Sequence, residues 1–395
     1  MALTMHAADQ PDAGAAKTPF DVLIVGAGLH GGLIALALLD ADPALRLALI
    51  ERDADPAGNH TWCFHRGDVP ADVGAWFARL PLTTWPGYRV AFPGLERAVD
   101  LPYCCLTADG LAKALRDTFA GRDTATLMTD QAVDAVGEHT VRLAGGRELR
   151  ASLVIDARGG GTVGATGYQK FLGLEVELAA DCGLDRPLLM DARVAQGPQF
   201  RFMYVLPLAA RRLLIEDTAF ARTPQLDVAA RRAAIVDYAA AQGWSIRAVL
   251  REESGVLPMP WQASVSAPAL PLTVGYAGAW FHPATGYSAP CALRLATLLA
   301  RHWRDPLPAL TAEWRRHRRQ FRLGLLLNRL AFLGFRPDLM WQPFARFYRL
   351  PLATIGRFYR LQSTASDVAR LLLGRPPRGF GSAWLPGRPS PEAGS

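Results

Sequence analysis

The stretch that most constrains this chain lies near its start: "FDVLIVGAGLHGGLIALALLDADPALRLALIERD". Phe20 to Val25 is a short β-branched run, Leu29 to Leu39 is helical in composition, and Leu45 to Ile50 is a second strand, which makes a βαβ unit. Gly26-Ala27-Gly28-x-x-Gly31 stands between the first strand and the helix. In such a unit Gly26 permits the tight turn, Gly28 lets backbone approach a pyrophosphate, and Gly31 allows close helix–strand packing. The helix then turns its unpaired N–H groups and positive dipole end toward the phosphates. Glu51 ends the second strand, where a carboxylate accepts ribose hydroxyls and repels a 2′-phosphate. The apolar run from Val22 to Leu39 has the length of a membrane span. Its glycine spacing assigns it to a dinucleotide instead.

Two further glycine units follow. In "ASLVIDARGGGTVGATG", Val154 to Asp156 reads as a short strand and Asp156 precedes Arg158-Gly159-Gly160-Gly161. In "LTVGYAGAWFHPATGYSAPCALRLATLLA" a strand-like run is followed by a proline-stiffened loop, carrying Gly278 and Gly286, and then by a helix-like run. Three such contacts in one chain suit a long, extended FAD better than a separate NAD domain, by analogy with flavoproteins.

The 395 residues are half apolar, ample for a sizeable core. Five cysteines, an odd count without C-x-x-C, suggest neither a disulfide framework nor a metal site, and a reducing cytoplasm is the simplest setting. The net charge of +7 is an arginine charge, since the lysines are only Lys17, Lys113 and Lys170. The first 19 residues have no basic-then-apolar pattern, so they read as a disordered tail and not as a signal peptide. Residues 379–395 read as a second tail.

In "QFRFMYVLPLAARRLLIEDTAF", Phe200 to Leu208 and Arg212 to Thr218 form a hairpin. Alternation puts Leu214, Glu216 and Thr218 on one face and Leu213, Ile215 and Asp217 on the other. Either the strand ends in a solvated Glu-Asp turn, or one carboxyl is kept protonated by apolar walls and can donate a proton at neutral pH. Glu252-Glu253 in "LREESGVLPMP" is a second acidic pair, placed after a helix. Further on, "WRRHRRQFRLGLLLNRLAFLGFRP" carries seven arginines and no acid, and "RFYRL" occurs twice, at 346–350 and 357–361. That region is either a helical subdomain with a basic outer face or an interfacial element lying on anionic lipid. No zinc-finger, RNP-type or helix-turn-helix signature supports nucleic acid.

Together, "VGAGLHGGLIAL", "GNHTWCFH", "FRFMYVLPL" with "RLLIEDT", "REESGVLP", "FHPATGYSAPCA" and "RFYRLP" resemble the motifs of the bacterial lycopene β-cyclases, flavoprotein carotenoid cyclases, from Phe20 to about Pro376. The resemblance implies an α/β fold of the flavin hydroxylase and geranylgeranyl reductase kind. A Rossmann-type FAD domain (20–75, 103–167, 270–305) would interleave with an antiparallel substrate sheet (76–102, 168–269). A helical, basic, membrane-associated region (306–378) would follow. It also implies an activity: cyclisation of the ψ end groups of lycopene through γ-carotene to β-carotene, with FAD in its reduced form, NAD(P)H as its reductant and no net redox change. The setting implied is the cytoplasmic side of the bacterial inner membrane, beside other carotenoid enzymes.

That chemistry needs an acid, a base, apolar aromatic walls and something anionic near a carbocation. Reduced flavin can be the anion, and aromatic faces add cation–π stabilisation. The resemblance carries the proton-donor role to Glu216, with Asp217 steadying the backbone from the opposite face. His282 is a candidate for the base or for positioning the flavin. Trp62, Phe64, Tyr204 and Tyr287 are candidates for the substrate wall or the core. In flavin hydroxylases the third glycine unit carries an Asp after its Gly; that position reads here as Ala279, after Gly278. The loop therefore reads as a flavin-side wall rebuilt for a cation. The competing readings are an FAD-dependent hydroxylase or reductase acting on an isoprenoid, and a non-catalytic carotenoid-binding flavoprotein.

Overall fold

The computed structural model describes residues 20–160 and 164–381; the two expected tails, apart from 379–381, and Gly161 lie outside the described residues. The opening βαβ unit forms as its pattern dictates. Phe20–Val25 pairs in parallel with Leu47–Ile50 on one side and with Glu148–Asp156 on the other. Ala125–Met128 extends the parallel set, and Thr140–Leu143 and Val133–Val136 add an antiparallel margin. The first helix, α1 (Leu29–Ala41), is buried over most of its length. It is sandwiched by α2 (Ala108–Phe119) and a later helix, which explains why its sequence is apolar all round.

A second seven-stranded sheet holds the hairpin Phe200–Ala209 and Arg212–Ala221. Thr166–Leu178 and then Ile246–Pro260 lie beyond the second hairpin strand. Leu188–Asp191, Tyr88–Phe92 and Leu95–Val99 complete the other side. The sheet is antiparallel except where Leu188–Asp191 runs parallel to Tyr88–Phe92. The acidic pair Glu252-Glu253 does follow a helix, as expected, and sits inside the long strand that comes after it. The helix before that strand, α3 (Val228–Ala241), covers one face through Ile235 and Tyr238.

The strand-like run Leu272–Trp280 is a strand only at Leu272–Thr273. Positive φ angles at Gly275 (70°) and Ala279 (57°) turn it into a loop. The loop feeds α4 (Ala289–His302), which packs along α1. The 28-residue α5 (Leu307–Gly334), α6 (Trp341–Phe347), α7 (Leu352–Tyr359) and α8 (Ala365–Leu372) follow. Pro351 separates the two "RFYRL" copies, as the sequence suggests. Phe332, Tyr348 and Phe358 of this helical region share a core with Phe200 and Phe202 of the second sheet. The side chain of Asn328 pins α5 by donating to the carbonyls of Pro260 (2.9 Å) and Pro283 (2.7 Å). The helices therefore roof the sheet face opposite α3. Among the described residues, no helix is long and apolar enough to cross a membrane.

Candidate active site

A cleft of about 730 Å³ runs from the glycine turn to the roofed face of the second sheet. Its first end is built by backbone. A side chain on Gly31 would put Cβ 1.9 Å from the Gly26 carbonyl oxygen, whereas one on Gly28 would meet nothing within 4 Å. The turn is closed at one glycine and open to the cleft at the other. The Ala27 N–H donates to Glu51 Oε2 (2.7 Å), which holds that carboxylate at the rim. Among the described residues no side chain caps α1 at Gly28, and none caps α4 at Ser288, where Ser288 and Ala289 line the same cleft. His30, also in the lining, is buried, and among the described residues its Nε2 has no hydrogen-bond partner. Desolvation pulls its pKa down to about 4.

Two uncapped helix starts, an orphan ring nitrogen and a rim carboxylate suit an elongated dinucleotide whose diphosphate needs N–H donors and whose ribose needs an acceptor. FAD fits these residues. Gly26 to Gly28, Glu51, Arg158 and the loop from Gly275 to Ala289 would hold it. Asp156 is one step removed: it lies outside the lining, and its carboxylate takes Arg158 Nε (2.9 Å) and Nη2 (2.7 Å), so that Arg158 faces the cleft instead.

The other end is built by strand register. Tyr204 lies opposite Glu216, Glu216 opposite Gly173, and Gly173 opposite Glu253. Directly opposed residues share a face, so the two carboxylates flank a residue with no side chain. A Cβ at Gly173 would lie 3.1 Å from Glu253 Cγ. Glu253 accepts from Arg251 Nη1 (2.6 Å) and the Thr61 hydroxyl (3.0 Å). Among the described residues Glu216 makes no ion pair; the Thr218 hydroxyl donates to Oε1, and Phe202, Tyr204 and Phe220 share its end of the cleft. Desolvation first, and then the charge of Glu253, raise the Glu216 pKa from 4.5 to about 8. A carboxyl of that kind stays protonated at neutral pH and can donate.

Asp217 points to the opposite face, as alternation requires. It is buried between Arg231 (3.0 Å) and Arg201 (2.8 Å) and tethers the strand there. Trp62, Tyr204, Tyr287 and Gly286 line the cleft. Phe64 does not: it is 2% exposed and packs edge-on against Phe77 in the core beneath the first sheet. His282 also lies off the cleft. Its Nε2–H donates to the Phe358 carbonyl (3.1 Å) and its Nδ1 accepts from the Ala284 N–H (3.2 Å). With burial pulling its pKa to about 3, no ring nitrogen remains to take a proton. Gly278 is a tight-turn residue whose Cβ would lie 2.2 Å from the Thr273 oxygen. The loop position presented to the cleft is Tyr276, after Gly275, and not Ala279. Tyr276 donates to the Gly286 carbonyl (2.5 Å) and stacks on Phe281.

Sequence reasoning missed Phe202 and Phe220, although both share the face of Glu216 by the same alternation. It also missed Phe344 and Tyr359, cleft residues supplied by the distant roof, for which no local signal exists.

Solved structures share this architecture at low identity, among them the following three. The chain superposes on a geranylgeranyl bacteriochlorophyll reductase-like protein from Thermoplasma acidophilum with a TM-score of 0.60 at 14% identity, covering 90% of this chain and 96% of that one. For PqsL, a probable FAD-dependent monooxygenase from Pseudomonas aeruginosa, the TM-score is 0.54 at 16% identity, covering 87% and 98%. For the halogenase PltM it is 0.59 at 14%, covering 89% and 84%. The fold is that of these three proteins. In sequence, the chain is 42% identical to the lycopene beta-cyclase of Pseudescherichia vulneris over 92% of this chain and 96% of that protein. It is 39% identical to that of Pantoea ananas, over 91% and 95%. Residues 21–384 match the family described as lycopene cyclase protein. With that match spanning both sheets, the cleft between them and the helical roof, the chain belongs to the lycopene cyclase family.

Proposed function

We propose that this carotenoid cyclase closes the ψ ends of lycopene to β-rings by acid–base chemistry, with Glu216 as the proton donor. The observation that carries the reading is a carboxyl with a pKa near 8 among aromatic rings, at the end of a cleft fitted for a flavin dinucleotide. A proton from Glu216 on the terminal double bond gives a tertiary cation. The neighbouring alkene attacks it and closes a six-membered ring, and loss of a proton from the adjacent carbon forms the ring double bond. Phe202, Tyr204 and Phe220 exclude water from the cation and offer it ring faces, each worth roughly 0.5–2 kcal/mol. FAD held by the glycine turn and the late loop, in its reduced form and with NAD(P)H as the electron source, would supply negative charge to stabilise the cation. One acid at the aromatic end of the cleft supports one ring per visit, so that γ-carotene precedes β-carotene.

The roof supports work at a lipid surface. Arg315, Arg319, Arg322 and Arg329, with Leu326, form one exposed stripe along α5. Among the described residues, none of those four arginines has a carboxylate within 4 Å. Cations spaced along a helix without partners suit anionic headgroups. We place the enzyme peripherally on the cytoplasmic face of the inner membrane, where its apolar substrate dissolves.

The test is expression in lycopene-accumulating cells, followed by chromatography of the pigments with mass detection. The expected product has the mass of lycopene and β-ring spectra, and Glu216→Gln leaves lycopene unchanged. A product heavier by oxygen or hydrogen would make the chain an oxidoreductase and end this reading.

A further inference from the structure

A buried group of charges beside the acid has no part in the chemistry above. On the sheet face that carries Glu216, directly opposed residues form a row across the strands: Tyr204, Glu216, Gly173 and Glu253. Two positions along the strand of Glu253, Arg251 stands opposite Glu175. Glu175 and Glu253 are both buried, and the Arg251 guanidinium joins them. It donates from Nε to Glu175 Oε2 (2.9 Å) and from Nη1 to Glu253 Oε2 (2.6 Å). Arg212 donates to the other oxygen of Glu175. Glu216 lines the cleft, whereas Glu253 is outside its lining.

The rest of the Arg251 fork reaches off the sheet. Nη1 also donates to Asn59 Oδ1 (2.9 Å), and Nη2 donates to the Thr61 hydroxyl (2.8 Å). That hydroxyl in turn donates to Glu253 Oε2 (3.0 Å), and Asn59 Nδ2 donates to the Glu252 carbonyl (2.8 Å). Gly58, His60, Thr61 and Trp62 wall the cleft. A single planar guanidinium thus binds the acidic row to the segment that walls the cofactor cleft, which the point charge of a lysine could not span.

The same contacts aim Glu253. Its Oε2 is held by Arg251 and Thr61, and its Oε1 lies 3.5 Å from where a Cβ on Gly173 would stand. The carboxylate leans over the bare backbone that separates it from Glu216. The charged and titratable groups around Glu216 are Glu253 from the outer strand, Asp217 from its own, Tyr204 from its hairpin partner and Arg231 from α3. Asp217 and Arg231 pair with each other at 3.0 Å. Around Glu253 stand Arg251, Glu175 beyond it, and Cys105 from the strand Tyr103–Thr107. The Arg212 side chain is 51% exposed and screened by water, whereas Arg251 is 19% exposed. The buried part of the cluster therefore has one guanidinium for two carboxylates, and a negative field remains on Glu216.

We propose that Glu253 is a positioning residue that keeps the proton on Glu216, and that Arg251 ties it to the wall of the cofactor cleft. The proposal rests on Glu216 being the acid of the cyclase reading. A neighbouring negative charge favours the protonated carboxyl, so its removal lets Glu216 ionise at lower pH. Displacing the wall would swing Glu253 away from Gly173, so the acid is complete only when the cofactor side is in place.

Glu253→Gln removes the charge and keeps an acceptor for both donors; Arg251→Lys keeps the charge and loses the fork. In each full-length protein the infrared carbonyl band of protonated Glu216, identified by its loss in Glu216→Gln, is titrated with pH. Turnover of lycopene is followed over the same range, and FAD affinity is measured by fluorescence quenching. For Glu253→Gln we expect the band and the alkaline limb of turnover to move down together by about one pH unit. Turnover is then about tenfold below the parent near pH 9 and parental near pH 6, at parental FAD affinity. For Arg251→Lys we expect FAD affinity about tenfold weaker. A parental band and limb in Glu253→Gln overturn the role of Glu253, and parental FAD affinity in Arg251→Lys overturns the tie. Should the glutamine variant not fold, Glu253→Met removes the same charge at similar length and is read the same way. A parent that forms no rings ends the cyclase reading; a parent that forms them, with its band and limb unmoved by loss of the Glu253 charge, ends this one alone.

Discussion

The acidity of Glu216 comes from what surrounds it. Water is excluded by aromatic rings, the Glu253 carboxylate stands across a glycine, and among the described residues no cation forms an ion pair with it, so the opposing pull of Arg231 is the smaller effect. Alternation along the strand separated Glu216 from Asp217 correctly, because a period of two is local. The influence of Glu253 was not legible, because it needs the register of three strands and the missing side chain at Gly173. The raised pKa also carries a stability cost. An unfolded chain ionises this group near 4.5 and the folded chain near 8. Between those values the folded state holds the extra proton, so stability falls as pH rises. Glu216→Gln removes that cost. The variant should be inactive yet more stable than the parent by roughly 3–5 kcal/mol at about pH 9, with little difference at about pH 4. Thermal melts of both proteins at both pH values check this. In the parent, activity should decline above about pH 8 as Glu216 loses its proton.

At the scale of elements, the glycine turn was the most legible part, since each glycine answers a steric demand that the sequence states directly. Gly31→Ala is the sharpest probe. Its Cβ would have to displace the Gly26 carbonyl, so the turn must open. The expected outcome is a protein purified without flavin absorbance, at a stability cost of about 1–3 kcal/mol. The late loop was read less well. "LTVGYAGAW" has the composition of a strand, but the chain turns at Gly275, and the residue that reaches the cleft comes three positions earlier than expected. For Phe64 the sequence left wall and core open, and the structure gives core: whether an aromatic on a strand meets ligand or core depends on what lies above it, here Phe77. His282 stands in a loop rich in cleft residues, yet its ring turns back to the Phe358 carbonyl, supplied by a helix that no local pattern brings near.

The whole molecule is a cleft between two sheets with a helical lid fixed over it, and the lid carries the arginine stripe on its outer side. Arg319→Glu together with Arg322→Glu should weaken binding to anionic vesicles about thirtyfold or more, taking about 1 kcal/mol per arginine. Added salt should weaken the parent in the same direction. Vesicle sedimentation measures both, and equal binding by the double variant would separate the stripe from the membrane. The layout also has a consequence for how the work is counted. A linear carotenoid has two equivalent termini, but Glu216 is the one carboxyl among the described residues at the aromatic end of the cleft. On the proposed chemistry each molecule must therefore withdraw, reverse and re-enter, and a half-finished molecule queues at the same doorway as fresh starting material. The final pigment mixture is then set by traffic at that doorway as much as by the speed of the chemistry inside it.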